Sequence, residues 1–152
     1  MKNKTTLLFF FVCVLGYSQQ NFFACPLDSG YIVKPKMNTK SFADPSDISL
    51  FIQSRSSIPV VVKSSLSGFV KSVTRMNDST FAIFVEGNSG DFFCFGRITK
   101  PLVVTKLNVT LGQEIAIIEP VKNVVELIIY AGKLKEIYKV KQLTKMFSCF
   151  EN

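Results

Sequence analysis

The side chains here that can carry chemistry are carboxylates, hydroxyls, lysines, arginines and four thiols; the 152 residues include no histidine and no tryptophan. Histidine is the common general base near neutral pH and a preferred zinc ligand. Without it there can be no Ser-His-Asp or Cys-His nucleophile and no His-ligated catalytic metal. A thiol such as Cys94 lacks the base that would activate it. Whatever chemistry remains must use carboxylates, thiols, lysines or hydroxyls. Two or three carboxylates without imidazole or thiolate suit Ca²⁺ or Mg²⁺ better than Zn²⁺. A pair such as Asp47 and Glu126 can support glycoside hydrolysis only at a defined separation. No CxxC or other metal-ligand spacing occurs. The chain therefore reads as a binding or structural protein rather than an enzyme, with no catalytic residue, metal or cofactor expected.

The N-terminus explains part of the composition. Lys2 and Lys4 precede an apolar run from Leu7 to Gly16, and Gly16-Tyr17-Ser18 puts small residues before Gln19. This pattern predicts a signal peptide over 1–18; a run of about ten apolar residues is too short to span a bilayer. Cleavage would remove two lysines and no acid, leaving a charge of +5 against +7 for the full chain. It would also remove Cys13, so Cys25, Cys94 and Cys149 would enter an oxidising compartment. Three thiols allow one disulfide and one leftover, in a pairing that spacing leaves open. The expected location is secreted or periplasmic, with no stable membrane span after cleavage. The basic residues are scattered, densest over Lys133 to Lys145, and match no nucleic-acid-binding motif, so no nucleic-acid partner is expected.

The elements that must position these residues are short and β-rich. Residues 19–57 are turn-rich and read as an N-terminal arm, with a short strand at Tyr31-Ile32-Val33 and a helical turn at Asp47 to Phe51 capped by Ser46 or Asp47. From Ile58 onward the runs at 59–63, 68–75, 80–86, 91–97, 102–105, 114–118 and 124–130 read as strands. Hairpin turns are expected at Asn77-Asp78 and at Asn88-Ser89-Gly90. Phe92, Phe93 and Phe95 fit a core-filling role, together with Phe81 and Phe84, better than a groove lining. The stretch from Leu134 to Val140 fits a strand or the start of a short helix to Phe147 equally well. The fold class predicted is all-β: short antiparallel strands in a sandwich or partly closed barrel, with a β domain over 58–140 and a tail over 141–152, which has room for a short helix.

Residues 58–134 also carry an ordered set of motifs. Ile58-Pro59-Val60 leads into Ser67-Gly68-Phe69-Val70, and a hairpin precedes Asp91 to Ile98 (DFFCFGRI). Val109-x-x-Gly112-Gln113-x-Ile115 follows, then Val125 to Lys133 (VELIIYAGK). This order resembles the M23 family of lysostaphin/LytM-like zinc endopeptidases, secreted enzymes that cut peptidoglycan cross-bridges. The resemblance covers about half of the chain. Its turn at Gly112 is shared with biotinyl/lipoyl-like barrels and hybrid sandwiches, so it speaks to fold more than to activity. It also has a physical reading of its own: a sharp reversal needs a residue tolerant of positive φ, Gln113 can bond back to main-chain groups, and Ile115 re-enters the core.

The departures from the family are informative. Where the resemblance implies a catalytic His in a Y-x-H-L strand, this chain has Phe95-Gly96-Arg97-Ile98. Where it implies the closing H-x-H pair, the nearest polar residue is Glu126, and near the first ligand segment only Asp44 and Asp47 remain. The resemblance thus implies an inactive domain that binds peptidoglycan or another envelope protein, with Arg97, Glu126 and Asp47 as the residues of its former groove. The alternative is a structural or assembly module on a biotinyl/lipoyl-like hybrid sandwich, with no glycan binding.

Overall fold

The computed structural model describes residues 23–34, 41, 43, 47–119, 124–132 and 144–149. The expected signal peptide, Asp44 and the stretch from Leu134 to Val140 lie outside them. Among the described residues ten strands follow one another: β1 (Tyr31–Val33), β2 (Ile48–Gln53), β3 (Val60–Lys63), β4 (Gly68–Arg75), β5 (Phe81–Gly87), β6 (Phe92–Ile98), β7 (Lys100–Pro101), β8 (Asn108–Val109), β9 (Glu114–Ile118) and β10 (Val124–Ala131). They form a seven-stranded sheet, in the order β1-β2-β10-β6-β5-β4-β8, and a three-stranded sheet, β3-β9-β7. All strand pairs are antiparallel. The two sheets do not close into a barrel; the architecture is an all-β sandwich.

Alternation along each strand explains the layering. Side chains two apart share a face, and one apolar cluster collects Leu50 and Ile52 of β2, Leu127 and Ile129 of β10, Phe93 and Phe95 of β6, and Ile83 and Val85 of β5. The smaller sheet adds Val60, Val62, Ile115 and Ile118 to the same cluster. Burying a side chain of this size contributes roughly 1.5–3 kcal/mol. Both expected hairpins form: Met76 N–H donates to Thr80 O at 2.7 Å across the first, and Gly87 N–H to Asp91 O at 2.7 Å across the second.

One end of this core is covered by the two ends of the described chain. Phe23 and Phe147 form a bridge, and their rings meet Phe93 with centroids 5.1 Å and 6.1 Å from its own. The Cys25–Cys149 disulfide fastens the two segments across 124 residues of sequence, and Cys94 is a free, buried thiol.

Three expectations are corrected. Asp47 to Phe51 is not a helical turn: Ile48–Gln53 is strand β2, paired with both β1 and β10. Ile48, Leu50 and Ile52 face the core while Ser49, Phe51 and Gln53 alternate with them, and pairing to two neighbours outweighs the capping signals before it. The second is 102–105, which forms no strand. The short β7 precedes it, and Lys106, with φ +71°, turns the chain before β8. Phe92 and Phe84 are also not core residues of the main cluster: both are half-buried against Tyr130 on the opposite face, with ring centroids 5.7 Å and 5.8 Å from it. Phe93 and Phe95 are fully buried, as expected.

Candidate functional site

The site assembles on the outer face of the large sheet, where a bulge turns Arg97 around. Phe81 pairs with Ile98 and Ile83 with Phe95, so Gly96 and Arg97 together oppose the single residue Ala82. Phe95 and Ile98 both point into the core. Arg97 takes a left-handed conformation, φ +66°, which costs a non-glycine residue roughly 1–2 kcal/mol. Strict alternation would send its side chain inward; the bulge delivers it to the outer face.

There Arg97 meets Glu126. Glu126 of β10 lies between Phe51 of β2 and Gly96 of β6, and Gly96 presents no side chain across from it. Arg97 Nε stands 3.6 Å from Glu126 Oε2. The glutamate side chain has 0% of its surface exposed and the arginine 21%. Arg97 also lies over the Phe51 ring, its guanidinium carbon 5.5 Å from the centroid, within cation–π reach. The other carboxylate oxygen accepts from Ser49 Oγ at 2.9 Å and from Ser41 Oγ. Ser41 Oγ in turn accepts from Ala43 N–H at 3.0 Å, a turn that holds the hydroxyl in place. A carboxylate taken wholly out of water needs a countercharge and hydrogen bonds, and Glu126 has both.

Asp47 sits just before β2 and acts on the same face through charge. The Cys94 thiol is pushed up to about 12, first by burial, then by the charges of Glu126 and Asp47. Burial also raises the Tyr130 hydroxyl, with Cys94, Glu86 and Asp47 adding to it. Such a thiol stays protonated at neutral pH and is a poor nucleophile.

Arg97 and Glu126 are thus in contact, and Asp47 shares their face and, with Glu126, raises Cys94 through its charge. Among the described residues no three His, Cys, Asp or Glu side chains group so as to hold a metal ion. Sequence reasoning missed Ser41, Ser49 and Phe51. Ser49 carried a usable signal, as a hydroxyl between apolar neighbours at the outward position of an alternating run. Ser41 carried none, because its role depends on how the chain approaches β2.

The Gly112 turn matches its expected physics. Gly112 has φ +78°, Gln113 Oε1 accepts from Thr110 N–H at 3.0 Å, and Ile115 is fully buried. A separate open pocket of about 300 Å³ lies beside the disulfide, lined by Asp28, Ser29, Lys63 and Ser148 among others. Within it Lys63 Nζ and Asp28 Oδ2 pair at 2.7 Å. Compared with known proteins, the chain matches no family model and no curated protein.

Proposed function

We propose that this chain is a secreted or periplasmic, catalytically inactive relative of the M23 (LytM-like) peptidases, serving the cell envelope as a binding or regulatory module on peptidoglycan or a partner protein. The observation that carries the reading is the Arg97–Glu126 pair. Arg97 stands where the resemblance implies a catalytic histidine, Glu126 is the nearest polar residue to a missing ligand histidine, and the two are 3.6 Å apart. An ion pair in place of a metal keeps the scaffold neutral at that point and offers no Lewis acid to a scissile peptide. The Cys25–Cys149 disulfide supports export, since such bonds persist in oxidising compartments.

One observation favours a second reading, a structural or assembly module on a hybrid-sandwich fold. Glu126 has no exposed surface, and both its oxygens are already engaged by Arg97, Ser41 and Ser49. In that case the sandwich contributes shape and edges to an assembly and binds no glycan.

Co-sedimentation with purified peptidoglycan separates the two. The binding module is retained at about 0.5 M salt, where charges are screened within a few ångströms. Arg97→Lys keeps a positive charge and loses the planar fork, so it weakens that retention if the arginine contacts ligand. Complete release by salt would reduce the interaction to the basic charge of the chain and overturn the binding reading.

A further inference from the structure

Between β7 and β8 three aliphatic side chains stand in solvent within six residues: Leu102, Val104 and Leu107 are 43%, 69% and 38% exposed. Lys100 and Lys106 alternate with them and are exposed too. No Asp or Glu occurs in the sequence between Asp91 and Glu114. The loop is pinned to both sheets. Leu102 N–H donates to Ile115 O at 2.9 Å, Lys106 N–H to Val70 O at 2.8 Å, and Val70 N–H to Leu107 O at 2.9 Å. Val73 N–H donates to Thr105 Oγ1 at 3.3 Å, and Val103 is buried in the core between its exposed neighbours. These ties hold the aliphatic side chains at the surface instead of letting them fold back onto the protein.

Scattered surface leucines are ordinary, but a fastened turn of aliphatic tips flanked by lysines and free of carboxylates is a specific combination. Protein-binding hot spots favour tryptophan, tyrosine and arginine, none of which occurs from Ile98 to Gln113. Aliphatic side chains beside lysines complement the acyl boundary and the phosphates of an anionic lipid layer. We propose that residues 100–107 form a membrane-contact loop, inserting Leu102, Val104 and Leu107 at the interface of an anionic lipid surface while Lys100 and Lys106 engage headgroup phosphates.

A dye placed at the loop tests this locally, apart from any affinity of the apolar N-terminal run for lipid. Cys94 is buried and Cys25 is bonded to Cys149, so in the full chain with Cys13→Ser, which removes the thiol of the N-terminal run, Val104→Cys supplies one accessible thiol among the described residues. A polarity-sensitive fluorophore there should brighten several-fold with phosphatidylcholine–phosphatidylglycerol vesicles and little with phosphatidylcholine alone. Lys100→Gln and Lys106→Gln should each weaken that response about fivefold in vesicle concentration. Ile58→Cys is the control: Ile58 is 68% exposed but precedes Val60, which pairs with Ile118, whereas Leu102 bonds to Ile115 at the other end of β9. The same dye at Ile58 should not respond. No response at position 104, or an equal one at 58, would overturn the proposal. So would brightening with protein concentration in the absence of vesicles, which would assign the patch to a second copy of the chain.

Discussion

Glu126 and Arg97 face each other at 3.6 Å on the outer face of the seven-stranded sheet, the acid with no exposed surface and the base held in a left-handed bulge. Each feature supports the other. Without the guanidinium the carboxylate would be a buried charge that has lost its countercharge, and the carboxylate, with the Phe51 ring, helps to offset the backbone cost at Arg97.

Breaking one side of this pair should therefore cost more than removing both. Arg97→Ala or Glu126→Ala alone should lower unfolding stability by about 3 kcal/mol, because one partner is left without its counterpart. Arg97→Met with Glu126→Leu should recover much of that loss. Urea midpoints of the two single variants and the double variant measure the coupling; additive losses would show that the pair does not interact.

Cys94 should set an alkaline limit on stability. Its folded pKa is raised from 9.0 to about 12, so the native state keeps a proton that the unfolded state releases. That contribution is fully present below about pH 9 and is lost as pH rises from there towards 12. Urea titrations from neutral to strongly alkaline pH should show a steeper decline for the native chain than for Cys94→Ala. A native thiol reagent at mildly alkaline pH should leave Cys94 unmodified until urea is added.

Reducing the Cys25–Cys149 bond should destabilise the chain by about 2–5 kcal/mol, since it closes a loop through nearly the whole described chain. Cys25→Ser with Cys149→Ser should show the same loss in thermal melts with and without reductant. The end of the core where Phe23 and Phe147 meet Phe93 should be the first to gain hydrogen exchange.

Two glycines should respond differently to alanine. At Gly112, with φ +78° and open space around a new Cβ, the cost is backbone strain of about 1–2 kcal/mol. At Gly68 a Cβ would lie 2.2 Å from the Glu86 carbonyl oxygen on the neighbouring strand, so β4 and β5 must separate. Gly68→Ala should be the more damaging change, visible as lost expression or a much lower melting temperature.

Much of the sandwich was legible because its strands alternate and are punctuated by turn residues. Gly68–Arg75 and Glu114–Ile118 fall where their patterns put them. β2 was hidden by Asp44-Pro45-Ser46-Asp47, whose side chains look like a helix start, although Ile48, Leu50 and Ile52 already alternate with polar or outward residues. The 102–105 run misled in the opposite sense, since Val104 and Thr105 face solvent around a turn and Val103 is buried without joining a strand. At the site, the polarity of Arg97 and Glu126 drew notice, but nothing local announces a bulge. Plain alternation along β6 puts Arg97 on the core side, and only the register against Phe81 and Ile83 reveals that it points outward.

The most direct test of an inactive peptidase scaffold is the metal content of the chain purified without chelators and dialysed, measured by elemental analysis beside a peptidoglycan-release assay. The account predicts zinc far below one equivalent and no release of soluble fragments. One equivalent of tightly held zinc, with fragment release abolished by its removal, would contradict it.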